Sequence, residues 1–515
     1  MRRFFSVAVL GVMLASCGGG SGAPNVQNAP GGLVPPVISG AIADGKPSNP
    51  LPEPPEVLPV HHVAALALTA QINPATSLPE LVYQGNNAGL PPTIRVKPGD
   101  TIVMDVADNL PNFPRVDSSM QADMNIHFHG LTVSPNPPAD NVTTMLASPG
   151  GSLHYVVPIP KDQEPGLYWY HPHVYQTTDY HVGQSGISGA IVVDGLEHHL
   201  PGLAKMTERL IVIRATGLRR DTRARPLPHK PNGGSCSPDP GLTVTTNGAV
   251  KPTIDIAPGE KQFFRVVNAT GHKTLKLAVD GGTLDLVAID GFALDTYPGT
   301  GPTEKVPYVV VPPSARAEFV VTGPASRNAK FRTLCYDSGP NGDPDPNVIL
   351  ADLTAPKGDL HPPVVRNERL GVGTPLPQNA YSSPLPKPTL TRQVVLSEDA
   401  DGMYINGKHF NSSDPPMFVA RAGTVEKWQV INVTGEIHDF HIHQIHFVVT
   451  KNDDVPLAHP YWGDAVVVPP EKHGVPGSLT LLLDFRDPVI KGMFMFHCHI
   501  LDHEDAGMMA MIKVI

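Results

Sequence analysis

Long hydrophobic runs, extended amphipathic helical periods and an excess of positive charge are all missing from this chain beyond its first residues. Lys and Arg number 38 against 48 Asp and Glu, a net charge of −10, which argues against a nucleic-acid partner. After residue 17 no segment is apolar enough to cross a bilayer. Helical spacing of apolar residues is scarce, whereas Pro (58) and Gly (48) are plentiful, the pattern of many short strands joined by turns. The chain is nevertheless globular in composition, with 41% hydrophobic and 17% charged residues. At 515 residues it is too long for one core and implies several domains.

The N-terminus reads as a targeting segment, residues 1–17, and stands outside the fold argument. Arg2 and Arg3 precede an apolar core from Phe4 to Ala15, and Leu14-Ala-Ser-Cys17 closes it. That closing segment resembles the bacterial lipobox, in which the cysteine becomes the lipidated first residue; an ordinary signal peptide cut nearby is the alternative. Residues 18–60 are rich in Gly and Pro without an apolar period, as in a flexible tether. The expectation is an exported protein, periplasmic or at the cell surface, held to a bacterial membrane through a lipid on Cys17.

A strand–glycine–strand unit recurs three times: Pro92 through Gly99 to Asn109, Pro252 through Gly259 to Asn268, and Met417 through Gly423 to Asn432. Each unit reads as a β-hairpin. The glycines lie 160 and 164 residues apart, close to the length of one Greek-key sandwich with its loops. Three β-sandwich domains are therefore expected, at about 61–200, 201–360 and 380–515, with the Pro-rich stretch 355–391 joining the last two.

Of 23 histidines, ten fall in four short motifs: His127-Phe-His129-Gly130, His171-Pro-His173, His438-Asp-Phe-His441-Ile-His443, and His497-Cys498-His499 with His503. Each motif contains one His-x-His pair, where random placement would give roughly one such pair in the whole chain. On a strand the two imidazoles of such a pair project to one side. Four pairs make eight donors for a cluster between the first and third domains. Cys498 points opposite to its flanking histidines, so one strand can serve two metal sites. A thiolate, His503 five residues on and Met508 beyond supply most of a blue-copper donor set, with His438 as the remaining imidazole. With Cys17 and Cys498 so assigned, Cys236 and Cys335 are left to pair as a disulfide in an exported protein; two separate thiols are the alternative.

These motifs, their order and the triple repeat resemble the three-domain multicopper oxidases of the laccase group over nearly the whole chain after the tether. The resemblance implies an all-β fold of three cupredoxin-like Greek-key β-sandwich domains and four copper ions. Type 1 copper would take His438, Cys498 and His503, with Met508 axial. Type 2 would take His127 and His441, and the type 3 pair His129, His171, His173, His443, His497 and His499; the middle domain would hold none. Implied too is the activity: single electrons taken from a small-molecule donor, a phenol or aromatic amine, and O2 reduced to water. That reduction needs four protons, which neutral imidazoles do not supply, so carboxyls are required. Glu504, directly after His503, matches an acid that assists oxygen reduction in bacterial relatives, and Asp140 resembles a second, although the loop before it is longer here.

Departures from the family pattern limit the resemblance. Asp439 stands where Pro is common, and is expected either to orient donors or to serve as a turn carboxylate; Gln444 stands where Gly is common. Methionine at 508 favours Cu(II) and easily oxidised donors. The donor is expected near His438. His446 falls on the face opposite His441 and His443 by strand parity and reads as core or surface. His154 and His181 have no matching spacing. Met493, Met495, Met509 and Met511 alternate as core residues do. A Cu(I) or Fe(II) oxidase for metal resistance is the competing enzyme, although no Met-rich insert is visible. A copper carrier or electron-transfer protein is the non-enzymatic alternative, and it would leave eight paired histidines without a purpose.

Overall fold

The computed structural model describes residues 49–83, 90–111, 123–217, 236, 241–326, 328–342, 345–355, 381 and 384–515. Cys17, the targeting segment and the tether as far as residue 48 lie outside the described residues. No helix among the described residues is long and apolar enough to cross a membrane.

The strands form six sheets, two from each of three successive stretches of chain. In the first stretch, a four-stranded sheet packs on a five-stranded one ordered Glu56–Val57, Thr93–Val96, Gly189–Val193, Gly166–His171, His127–His129. Alternation builds the core between them: Ile102, Met104 and Val106 of Thr101–Asp108 are buried and meet Phe128, Tyr168 and Ile191 of the facing sheet. The second stretch, from Thr207 to Thr354, repeats the plan around Phe264, Phe319 and Phe331. The third, from Leu390 to Val514, does so around Trp428, Phe440 and Phe496. Its inner sheet runs Phe418–Ala420, Met509–Val514, Gly492–Cys498, His438–Ile442, Ala465–Val468. The protein is all-β and built of three sandwiches.

The three repeated units are not hairpins. In each, the strand before the glycine and the strand after it belong to different sheets, so the turn arches across the sandwich. Gly99, Gly259 and Gly423 take φ of 93°, 78° and 86°, a left-handed backbone that favours glycine. The strand before each turn runs parallel to the last strand of its sandwich: Thr93–Val96 to Gly189–Val193, Thr253–Asp255 to Val348–Thr354, Phe418–Ala420 to Met509–Val514. The strand after it runs parallel to an early strand of the other sheet, as Thr101–Asp108 does to Val63–Ile72. Alternation, glycine, alternation is common to hairpin and arch, and only the pairing partners distinguish them.

Residues expected in the tether take part in the sheets. Glu56 and Val57 pair with Thr93 and Ile94, and the Leu51 N–H donates to the Thr253 carbonyl at 2.9 Å. Buried Arg95 anchors this segment by pairing with Glu56, Asp194 and Glu208. Cys236 and Cys335 are joined as a disulfide, their Cα atoms 5.6 Å apart. The strand Gly166–His171 is buried on both faces. Tyr168 and Tyr170 enter the first core, while Leu167 and Trp169 pack against Val212 and Val267 of the second sandwich and Leu501 of the third.

Candidate metal centre

The strand Gly492–Cys498 sends Phe494, Phe496 and Cys498 into the third core and His497 to the opposite face. Antiparallel to it, His438–Ile442 places Phe440 opposite Cys498 and His441 opposite His497. A short helix, Leu501–Asp505, follows directly and returns His503 towards the thiol. The result is compact. His438 Nδ1 and His503 Nδ1 lie 3.1 Å apart, and Cys498 Sγ lies 3.7 and 3.8 Å from them. The Asp439 N–H donates to Sγ at 3.4 Å. Burial raises the Cys498 thiol well above its usual pKa, so a cation is needed to hold the thiolate there. Met508 is buried in the same core, and its carbonyl accepts the Cys498 N–H at 3.0 Å.

On the other face, all eight paired histidines converge from the first and third sandwiches. His127 stands opposite His171 on neighbouring strands, and His443 lies just beyond the end of its strand. The ring of His127 stacks on that of His443 at 3.8 Å, and His129 on His441 at 3.9 Å. His497 Nε2 lies 3.2 Å from Nε2 of both His173 and His443. The rings of His129, His171 and His499 lie 5.2–5.7 Å from one another. Burial lowers the pKa of His127, His129, His171, His441, His443 and His499 well below the ordinary value, leaving neutral donors. His127 Nε2, His129 Nδ1, His171 Nε2 and His441 Nε2 are buried without hydrogen-bond partners. Orphaned ring nitrogens gathered in one place fit resident metal ions.

Two carboxyls flank the cluster. Asp140 lies 3.0 Å from His127 Nδ1, accepts the Phe128 N–H at 3.0 Å and the Gln444 amide at 2.5 Å, and burial pushes it up to about 7. Gln444 makes this contact from φ 58°, a backbone that suits the glycine common at this position in the family. Glu504 lies 3.1 Å from His497 Nδ1 and 3.5 Å from His173 Nε2. Burial raises it, but His497 and His173 outweigh burial and hold it at about 2.

Several expectations change. His438, near which the donor was expected, has no exposed edge: its ring is buried with Nε2 2.9 Å from Thr434 Oγ1. His503 instead lines a surface pocket with Glu436, His272, Lys273, Asp345 and Asp502, its Nε2 3.4 Å from Glu436. Asp439 is neither a pocket carboxylate nor a turn residue. It sits within a strand, both oxygens buried without partners, and burial beside Asp290 and Asp464 raises its pKa well above the ordinary value. His446 is buried, the core alternative of its two expected places, with Nε2 3.3 Å from Asp464; the strand ends at Ile442, so strand parity does not set its direction. His154 pairs with Asp105 at the surface, and His181 is buried away from the described clusters. Met493, Met495, Met509 and Met511 pack with Val142, Phe410 and Tyr175.

Asp464, which no sequence motif marks, also belongs to the site. Its Oδ1 lies 3.1 Å from His129 Nε2 and its carbonyl 2.7 Å from His441 Nδ1. No local spacing marks it, since it stands 335 residues from His129.

Comparison with known proteins agrees with this geometry. Two family models, each described as multicopper oxidase, match residues 68–198 and 383–515, together just over half of the chain. The multicopper oxidase mco of Staphylococcus aureus is 26% identical over 441 residues, 84% of this chain and 83% of that one. A laccase of Bacillus subtilis is 25% identical over 495 residues, 84% and 90% of the two chains. A multicopper oxidase from Campylobacter jejuni, described as a metallo-oxidase, is similar in fold with a TM-score of 0.66 at 24% identity, covering 91% of this chain and 96% of that one. McoA of Aquifex aeolicus gives 0.67 at 22%, covering 91% and 99%.

Proposed function

The chain belongs to the multicopper oxidases, copper-dependent oxidoreductases that use O2, and within that family we propose a laccase-like enzyme whose donor, a phenol or aromatic amine, gives up its electrons at the His503 pocket. The observation that carries this reading is the pairing of a buried thiol, Cys498, with His438 and His503 on one face of a strand whose other face holds the eight-histidine cluster. His438, Cys498, His503 and Met508 would hold the type 1 ion. Among the eight, His173, His443 and His497 already form one group of converging nitrogens. His129, His171 and His499, with rings 5.2–5.7 Å apart, would hold the other type 3 ion, and His127 and His441 the type 2 ion. Four ions in all would occupy the two sites.

Copper bound there would accept electrons singly from the donor and return four of them to O2, giving two waters. The protein supplies the rest. His503 presents its outer edge to the pocket, and Glu436 beside it accepts a hydrogen bond from a phenolic hydroxyl or an amine. Cys498 and His497 join the two ligand sets through one peptide. Asp140, pushed up to about 7 by burial, can take up and release a proton at its carboxyl oxygen near neutral pH, and Glu504 stays ionised against the N–H of His497.

Oxidation of a metal ion is the second reading, and the carboxylates of Glu436, Asp345 and Asp502 around the pocket are what favours it. The N-terminal sequence supports an exported protein, anchored by a lipid on Cys17 in the periplasm or at the cell surface of a bacterium. The pairing of sheets supports domain limits close to 61–200, 201–360 and 380–515. Oxygen uptake by the copper-loaded protein, run in parallel with a phenol, Cu(I) and Fe(II), tests the donor. Uptake with the phenol is expected. Uptake with a metal ion alone would transfer the assignment to the second reading, and absence of intense visible absorption after loading would overturn the type 1 site.

A further inference from the structure

The second sandwich contributes no histidine to the cluster, yet it reaches the cluster through Arg316. This guanidinium is fully buried and grips Asp464 with both prongs, Nη1 to Oδ1 at 2.7 Å and Nη2 to Oδ2 at 2.6 Å. Its other N–H groups donate to the carbonyls of Leu167, Ser314 and Asp290 at 3.0, 3.4 and 3.0 Å. The Asp290 carboxylate in turn accepts the backbone N–H groups of Arg316 at 2.8 Å and Asp464 at 3.2 Å. Asp464 is therefore held at both its side chain and its backbone. Gly130 belongs to the same arrangement: a Cβ there would collide with Arg316 Nη2 and Asp464 Oδ2, which explains the glycine that follows His129.

Asp464 meets two cluster histidines by different routes. His441 donates from Nδ1 to its carbonyl, and His129 donates from Nε2 to its carboxylate. The outward bonds of His127, His171 and His497 all leave from Nδ1, to Asp140, the Pro172 carbonyl and the Cys498 carbonyl. Among these five rings His129 alone is reversed, with Nδ1 the buried and unpartnered atom. A neutral imidazole has one N–H, and the bond that N–H makes decides which nitrogen remains as ligand.

We propose that Asp464, fixed by Arg316, is a positioning residue that makes His129 offer Nδ1 and His441 offer Nε2 to the metal cluster, so that the second sandwich sets the spacing of ions it does not ligate. This rests on the copper assignment above. Nδ1 lies nearer the backbone than Nε2, so presenting Nδ1 would bring the backbone of His129 closer to its ion than that of His441, and the two stacked rings would serve different ions. Moving the N–H of His129 to Nδ1 would leave the charged Asp464 facing a bare Nε2, and an unpaired buried polar group costs about 1–3 kcal/mol.

The test uses full-length copper-loaded protein and two variants, Asp464→Asn and Arg316→Lys. Asparagine keeps the shape but loses the charge that holds Arg316; lysine keeps the charge but loses the two-pronged grip. Copper per chain and the fraction of it visible by electron paramagnetic resonance are measured alongside the visible absorption of the Cys498 site. In the parent, half of the copper should be silent, because the type 3 ions couple. In Asp464→Asn the visible fraction should rise above one half, or copper should be lost from the cluster, with the visible absorption retained; Arg316→Lys should shift the same way by less. If Asp464→Asn does not fold, Arg316→Lys alone decides. Parental copper content and parental silent fraction in the folded variants would overturn the proposal. A parent lacking coupled copper would instead overturn the cluster assignment on which it rests.

Discussion

His497 Nδ1 lies 2.9 Å from the carbonyl oxygen of Cys498, so these neighbours are joined twice, through the peptide and through a hydrogen bond. The thiol of Cys498 faces His438 and His503 while the ring of His497 faces His173 and His443. One strand end thus holds the thiol group and the histidine cluster at fixed separation.

Replacing Cys498 with serine should abolish the intense visible absorption and donor-driven oxygen uptake while copper remains in the histidine cluster, because a hydroxyl is a poor ligand where a soft thiolate is needed. Copper stoichiometry together with the absorption spectrum checks this. Loss of cluster copper as well would show that the two sites are not independent.

Glu436→Gln should raise KM for cationic amine donors about 10- to 100-fold, the size of a lost charged hydrogen bond of roughly 1.5–3 kcal/mol. Neutral phenols should change less, and the visible absorption should not change. Steady-state kinetics with matched amine and phenol donors reads the difference. An equal effect on both donors would deny Glu436 contact with the substrate.

Asp140→Asn should slow steady-state oxygen reduction about 100-fold, the usual scale for a positioned proton donor, and leave reduction of the type 1 site by donor unchanged in stopped flow. Gln444→Gly removes only the amide that holds Asp140. Its rate should fall by less, and its stability should stay within about 1 kcal/mol of the parent, since glycine relaxes the backbone at φ 58°.

Arg95→Met should destabilise the protein by about 3–5 kcal/mol, because it leaves the carboxylates of Glu56, Asp194 and Glu208 without their shared buried cation. A lowered midpoint in denaturant, with unchanged visible absorption of the loaded protein, is the expected result. A shift below about 1 kcal/mol would place this network among ordinary surface pairs.

The clustered histidines and Cys498 were legible because their information is local. Two histidines separated by one residue share a face of any strand, and a cysteine between two histidines faces the other way, whatever the strand pairs with. The all-β class and the threefold repeat are local in the same sense, since alternation and glycine turns are written within each short segment. What tertiary structure alone decided depends on which segments become neighbours. Gly99, Gly259 and Gly423 turn arches and not hairpins because their flanking strands find parallel partners in opposite sheets. His503, and not His438, lines the surface pocket because Thr434 and the third core close over His438. Asp464 and Arg316 come from separate sandwiches and meet His129 only when all three are assembled, and no periodicity in the chain encodes a contact between residues hundreds of positions apart.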